Sequence, residues 1–277
     1  MRLGAPLPHP TSDPAQWVAA LQARGYRAAY CPLAGGEDIS TIRAYELAAE
    51  GAGIVIAEVG AWCNPLSPDE AVRRAAVEKC QVKLALADEI GARCCVNIAG
   101  SRGEKWDGPH PADLTRETFD LIVDTTRAII DAVQPKRSYY TLEPMPWMYP
   151  DSIESYEDLL QAIDRPRFGV HFDPVNLINS PQRYFFNGDF IAEFITRLGP
   201  DIRSVHAKDI HLGDNLTVHL DEVRPGLGEL DYPTFLRELN RLEPDLPLML
   251  EHLSPASEYD LAAAYVRGVA DEIGVAL

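Results

Sequence analysis

No two cysteines in this 277-residue chain have CxxC spacing, and the five present (Cys31, Cys63, Cys80, Cys94, Cys95) are an odd number. Both absences argue against a disulfide framework and a cysteine-based zinc site, so free thiols in a reducing cytoplasm are expected. No apolar run approaches the roughly 18 residues that suggest a membrane-spanning helix. No basic start leads into an apolar stretch of the secretory-leader type. Positive charge is scarce: 25 Lys and Arg stand against 42 Asp and Glu, a formal net charge of −17. A surface that negative repels phosphate backbones and anionic lipid, so neither nucleic acid nor membrane is an expected partner. There is no GxGxxG turn, no low-complexity tract and no linker-like segment, so one domain over residues 1–277 is expected.

What is present is a regular alternation. Short apolar runs at 2–7, 28–33, 53–59, 92–99, 137–143, 167–173, 202–208 and 247–252 read as strands. Charged segments of helical period follow each: 13–25, 37–51, 67–91, 115–133, 152–163, 189–198, 232–242 and 257–273. Several open on cap-like residues, such as Asp13 before Pro14 or Ser67 in SPDE, and several stop at Gly. Segments 174–188 and 209–231 read as long loops. Sustained βα alternation implies a parallel sheet, and eight units imply closure into a (β/α)₈ TIM barrel, an α/β fold for which this length suffices.

The last four strands each end in a metal-ligand type: Glu143 in YYTLEPM, Asp173 in GVHFDPV, His206 in RSVHAKD and Glu251 in LMLEHL. Side chains alternate along a strand. The parity that turns Tyr140, Leu142, Val170, Phe172, Val205, Leu248 and Leu250 toward the helices turns these four toward the barrel axis, near its C-terminal mouth. Active sites of this fold sit there. Three carboxylates and a histidine on one axis repel unless neutralised, and a divalent cation resolves the conflict. Mixed oxygen and nitrogen ligation suits Mn²⁺ first, with Mg²⁺, Co²⁺ and Zn²⁺ as alternatives.

The segments LEPM, HFDPVN, VHAKDI, RPGLGELDY and LEHL resemble the xylose-isomerase-like sugar phosphate isomerase/epimerase superfamily. It includes ketose 3-epimerases, hydroxypyruvate isomerase, inosose dehydratase and, more distantly, endonuclease IV. The resemblance covers the second half of the chain and extends to the first half as fold. It implies that Glu143, Asp173, His206 and Glu251 hold the metal, and that Glu143 and Glu251 also move protons. Two departures stand out. Many relatives carry His where Asn176 stands, three residues after the strand-six Asp. The basic residue expected past the strand-seven His in ketose epimerases is replaced by Leu212.

Other residues are candidates for substrate recognition. They are Asn176, Lys208 on the parity of His206, Arg224 in the following loop, His171 one layer below Asp173, Glu58 ending strand three, Asn97 ending strand four, and Trp106 with Trp62 and Trp147 in mouth loops. The function expected is isomerisation or epimerisation of a small sugar by proton abstraction next to a metal-bound carbonyl. A lyase using the same base and metal is the main rival. A phosphodiesterase would need more ligands and a basic groove. A non-catalytic binding barrel would tolerate metal loss. A homodimer or homotetramer is a common assembly for such barrels.

Overall fold

A computed structural model describes residues 1–8 and 13–277. Eight parallel strands close into a barrel: β1 (Arg2–Gly4), β2 (Ala28–Tyr30), β3 (Val55–Gly60), β4 (Cys94–Asn97), β5 (Tyr139–Leu142), β6 (Phe168–Phe172), β7 (Ile202–Ala207) and β8 (Pro247–Leu250). Each pairs with its sequence neighbours, and β1 pairs with β8 to close the ring. The surrounding helices are α1 (Pro14–Ala23), α2 (Ile39–Ala52), α3 (Glu70–Ile90), α4 (Arg116–Val133), α5 (Ile153–Ile163), α6 (Asn187–Leu198), α7 (Tyr232–Leu239) and α8 (Ser257–Ile273). The expected eight-fold alternation is therefore observed. No described helix is long and apolar enough to cross a membrane.

Local chemistry sets the boundaries. Side chains of Asp13, Asp38, Asp69, Thr115, Ser152 and Asp231 accept hydrogen bonds from first-turn amides of their helices, which satisfies donors that would otherwise be orphaned. The Ser67 cap expected from SPDE is displaced by Asp69, which takes both Ala71 N and Val72 N. A carboxylate at a helix N-terminus also gains from the dipole, which a hydroxyl does not. Gly53, Gly91 and Gly274 end α2, α3 and α8 in the left-handed conformation.

The apolar core lies between barrel and helices. Phe172 of β6, for example, stacks on Phe194 of α6 with ring centroids 4.0 Å apart. Inside the barrel the apolar cluster is only Ala28, Ala57 and Met249, with Tyr30 packed on it. The interior is tight at its base: a Cβ on Gly4 would lie 2.4 Å from Ala28 O. Above that plug the interior is polar, with Glu58, Thr141, His171 and Ser204 all buried.

The two long loops carry structure that the sequence reading missed. Residues 174–188 hold short helices at Pro174–Leu177 and Pro181–Phe185. After β7 comes an antiparallel hairpin, Asp209–Leu212 with Leu220–Val223. Its return is pinned by one buried carboxylate. Asp209 accepts from the amides of Ile210, Gly226, Gly228 and Leu230 at 2.9–3.1 Å. Gly228 is required there, since a Cβ would lie 2.3 Å from Ile210 O. This explains the RPGLGELDY segment as an amide cradle. Asp209→Ala leaves buried amides unpaired, so it is expected to cost about 3 kcal/mol and lower Tm by roughly 5–10 °C. A calorimetric scan checks this; an unchanged Tm contradicts the cradle.

Candidate active site

The barrel's C-terminal mouth opens into a cavity of about 830 Å³ whose floor includes Glu143, Lys208 and Glu251. Glu143, Asp173, His206 and Glu251 each present one ligand atom, all within 4.8 Å of one another, and all four residues are buried. His206 Nδ1 lies 3.0 Å from Glu143 Oε1 and 2.9 Å from Glu251 Oε1. Asp173 divides its oxygens. Oδ1 accepts from Val175 N and Asn176 N and so caps the short helix that follows, while Oδ2 faces the cluster.

Lys208 completes the electrostatics. Its Nζ lies 2.6 Å from Glu251 Oε1, 2.8 Å from Asp173 Oδ2, 3.4 Å from Glu222 Oε2 and 3.8 Å from Glu143 Oε1. Burial opposes its charge, but Asp173, Glu251, Glu143 and Glu222 outweigh burial and raise its pKa well above the ordinary lysine value. It is an ammonium, not a free amine nucleophile. Burial, and then Glu251, push Glu143 upward. Burial also opposes ionisation of Glu251, but His206 and Lys208 prevail and hold it down at about 2. Asp173 is likewise held well below the usual carboxylate range, by Lys208 and His206 against burial.

Below the cluster lies a closed hydrogen-bond network. Glu58 Oε2 is 3.3 Å from His206 Nε2. Glu58 Oε1 is 2.9 Å from His171 Nε2 and accepts from Ser204 Oγ. Glu58, His171 and His206 therefore share a second grouping of metal-ligand types. Both Glu58 oxygens are already engaged, which makes this grouping a support for His206. With a cation bound, an Nε2–H directed to Glu58 would leave the Nδ1 lone pair free to face the ion.

This arrangement fits a divalent cation on three counts. The donor set is three carboxylate oxygens and one imidazole nitrogen. Buried Asp173 Oδ2 and Glu251 Oε1 accept no hydrogen bond of good geometry and are held by ion pairs to Lys208 and His206 alone. Four buried carboxyl groups, Glu58 included, outnumber the Lys208 ammonium and the His206 imidazole, whose pKa, against burial, Glu251, Glu58 and Glu143 raise well above the ordinary histidine value, so negative charge is in excess in a site of low dielectric. The buried Glu, Asp and His cluster thus suggests a divalent metal site.

The other candidates divide. Lys208, Asn176 and Trp106 line the cavity, as do Trp62 and Trp147. Asn176 donates to Glu143 Oε1 at 3.2 Å and to Pro144 O at 3.1 Å, so it braces Glu143. Four expected substrate contacts are not on the wall. Glu58 and His171 are fully buried beneath the cluster, because their strands place them one layer deeper. Asn97 is spent on Cys63 N and O, at 3.1 and 3.2 Å. Arg224 turns away to pair with Glu258 at 2.8 Å. Sequence reading also missed wall residues. Glu222 sits on the unforeseen hairpin, and His252 follows β8 in the LEHL segment with φ 56°. Only the second had a visible signal, as a polar residue at a strand's C-terminal end.

If Glu58 orients His206, Glu58→Ala should weaken divalent-metal affinity roughly 10–100-fold, and Glu58→Gln less so. Calorimetric titration with Mn²⁺ measures this; wild-type affinity in both variants would remove the supporting role.

A family model described as the xylose isomerase-like TIM barrel matches residues 8–269. Comparison with curated proteins gives no match. Among solved structures, the chain is similar to the probable 3-DHS dehydratase AsbF of Bacillus anthracis, involved in petrobactin synthesis. There the identity is 19% over 97% of this chain and 98% of that one, with a TM-score of 0.70. It is also similar to D-psicose 3-epimerase of Clostridium cellulolyticum H10, solved with D-tagatose, at 13% identity over 100% of both chains and a TM-score of 0.71. A third is 3-keto-D-glucoside 4-epimerase YcjR of E. coli in its apo form, at 14% identity over 97% and 99% and a TM-score of 0.66. At these identities the likeness establishes the fold.

Proposed function

The chain belongs to the xylose isomerase-like TIM barrel family, and we propose that it is a divalent-metal-dependent isomerase or epimerase of a sugar or keto-sugar. One observation carries the reading. Two glutamates from different strands, Glu143 and Glu251, bring one oxygen each to the same imidazole nitrogen at the floor of an open cavity. That is the pairing needed to take a proton from carbon and to return one. The epimerases among the similar structures act on ketoses or a keto-glucoside, which agrees with it.

Glu143, Asp173, His206 and Glu251 would hold the cation, with Mn²⁺ placed first. When bound, it would supply Lewis-acid polarisation of a substrate carbonyl. One of Glu143 and Glu251 would take the proton from the adjacent carbon, and the other would deliver a proton to the opposite face or the neighbouring carbon. Asn176 holds Glu143 Oε1 in place for this. The Lys208 ammonium, beside Asp173 and Glu251 at the cavity floor, would stabilise a substrate oxygen that gains charge. That same ammonium favours a second reading. It could protonate a departing oxygen, which would make the enzyme a lyase or dehydratase of a keto-sugar, keto-inositol or 3-keto-glycoside.

The test is NMR in D₂O with ketoses and keto-glycosides. Deuterium should enter the carbon next to the carbonyl, and the product should separate epimerisation from elimination. Glu143→Gln and Glu251→Gln are each expected to lower kcat by about 10²–10⁴-fold. Both should keep wild-type circular dichroism. Activity within tenfold of wild type in either variant would sink that residue's assignment.

A further inference from the structure

The wall of the cavity is divided. The half formed after β5–β8 carries Glu143, Asn176, Lys208, Glu222, Glu251 and His252. The half formed after β1–β4 is mostly apolar, with Leu7, Ile98 and the side chains of Trp17, Trp62 and Trp106; its charged residues are Lys105 and Asp107, which pair with each other at 3.2 Å. The chain contains four tryptophans, and all four line this one cavity: Trp17, Trp62, Trp106 and, beyond β5, Trp147. A cavity of about 830 Å³ lies at the upper end of the range that holds drug-sized ligands and is far larger than one sugar ring.

The aromatic wall is built rather than incidental. Trp62 and Trp106 remain 38% and 37% exposed, and the Trp62 indole lies so close over Gly60 that any Cβ there would collide with the ring. Trp62 is held at φ 33°, a left-handed conformation that costs energy for a bulky residue. Its bend is clamped. Asn97 takes Cys63 N and gives to Cys63 O, and Lys79 Nζ donates to Trp62 O at 3.1 Å. Trp147 is fixed by donating its indole N–H to Asp107 O at 3.0 Å. The buried amide of Asn97 thus fixes Cys63, the residue next to Trp62.

Resting on the proton-transfer reading above, we infer that the substrate is a keto-sugar bearing an aromatic or other flat apolar substituent, a glycoside with an apolar aglycone rather than a free monosaccharide or an oligosaccharide. The sugar carbonyl end faces the charged floor, and the aglycone lies among the tryptophans. A second sugar could lay one C–H face on an indole, but with Lys105 and Asp107 paired to each other few groups on this wall would meet its hydroxyls, whereas a flat apolar ring gains both burial and offset or edge stacking.

The probes are 2-naphthyl β-D-glucoside, methyl β-D-glucoside and cellobiose, none of which carries the keto group needed for turnover. Calorimetry and tryptophan fluorescence measure binding. The naphthyl glucoside should bind at least roughly 30-fold tighter than the other two and quench the fluorescence. Trp62→Ala and Trp106→Ala should each weaken it about tenfold, with Asn97→Ala following Trp62→Ala. Should an alanine variant fail to fold, Trp106→Phe and the wild-type quench carry the test. Equal affinity for the three probes, unchanged naphthyl affinity in the tryptophan variants, or no binding of any probe overturns the inference. Deuterium exchange with free ketoses is read separately. Exchange without aryl preference keeps the proposed chemistry and removes the aglycone, and aryl binding without exchange does the reverse.

Discussion

Three buried carboxylates sharing one end of a closed barrel are the constraint around which the site is arranged. Glu143, Asp173 and Glu251 cannot all be ionised there without positive charge close by. The chain supplies part of it. Lys208 reaches all three, and His206 stands between two of them. The remaining imbalance is what a divalent cation would remove. The surrounding features serve that balance. Glu58, braced by His171 and Ser204, sets the ring of His206. Asn176 braces Glu143, and the short helix after β6 takes up the second oxygen of Asp173.

The barrel was legible because its signals are local and repeated. Short apolar runs alternate with longer segments of helical period, and several helices start or stop on a capping residue. The four candidate ligands were legible for the same reason: parity along four successive strands places Glu143, Asp173, His206 and Glu251 on one axis. Depth was legible only in part. Position two residues before Asp173 puts His171 one layer down, but Glu58 ends its strand, and nothing in one sequence says that it too lies beneath the cavity floor. Asn97 and Arg224 lie off the cavity wall because partners remote in sequence, Cys63 and Glu258, engage them. The hairpin after β7 was hidden because the segment that returns from it, through Gly226 and Leu230, is held by Asp209, a long-range acceptor that periodicity does not reveal.

The loops decide what the floor can reach. A barrel of this kind offers the same strand ends to many substrates, and the walls above them select. Here the hairpin brings Glu222 to the Lys208 ammonium, and the loops after β3, β4 and β5 bring three tryptophans to the mouth. Charge on one side and aromatic surface on the other give the cavity a polarity of its own. This orients a two-part ligand more readily than a uniformly polar one.

Metal content tests the central claim most directly. The wild-type protein and Asp173→Asn would be exposed in parallel to excess Mn²⁺, Mg²⁺, Co²⁺ or Zn²⁺, desalted and subjected to elemental analysis. Retention of about one divalent ion per chain by the wild type, with its loss in Asp173→Asn, is the predicted result. A wild-type protein that retains none of the four ions, and whose thermal unfolding does not respond to them, contradicts the account.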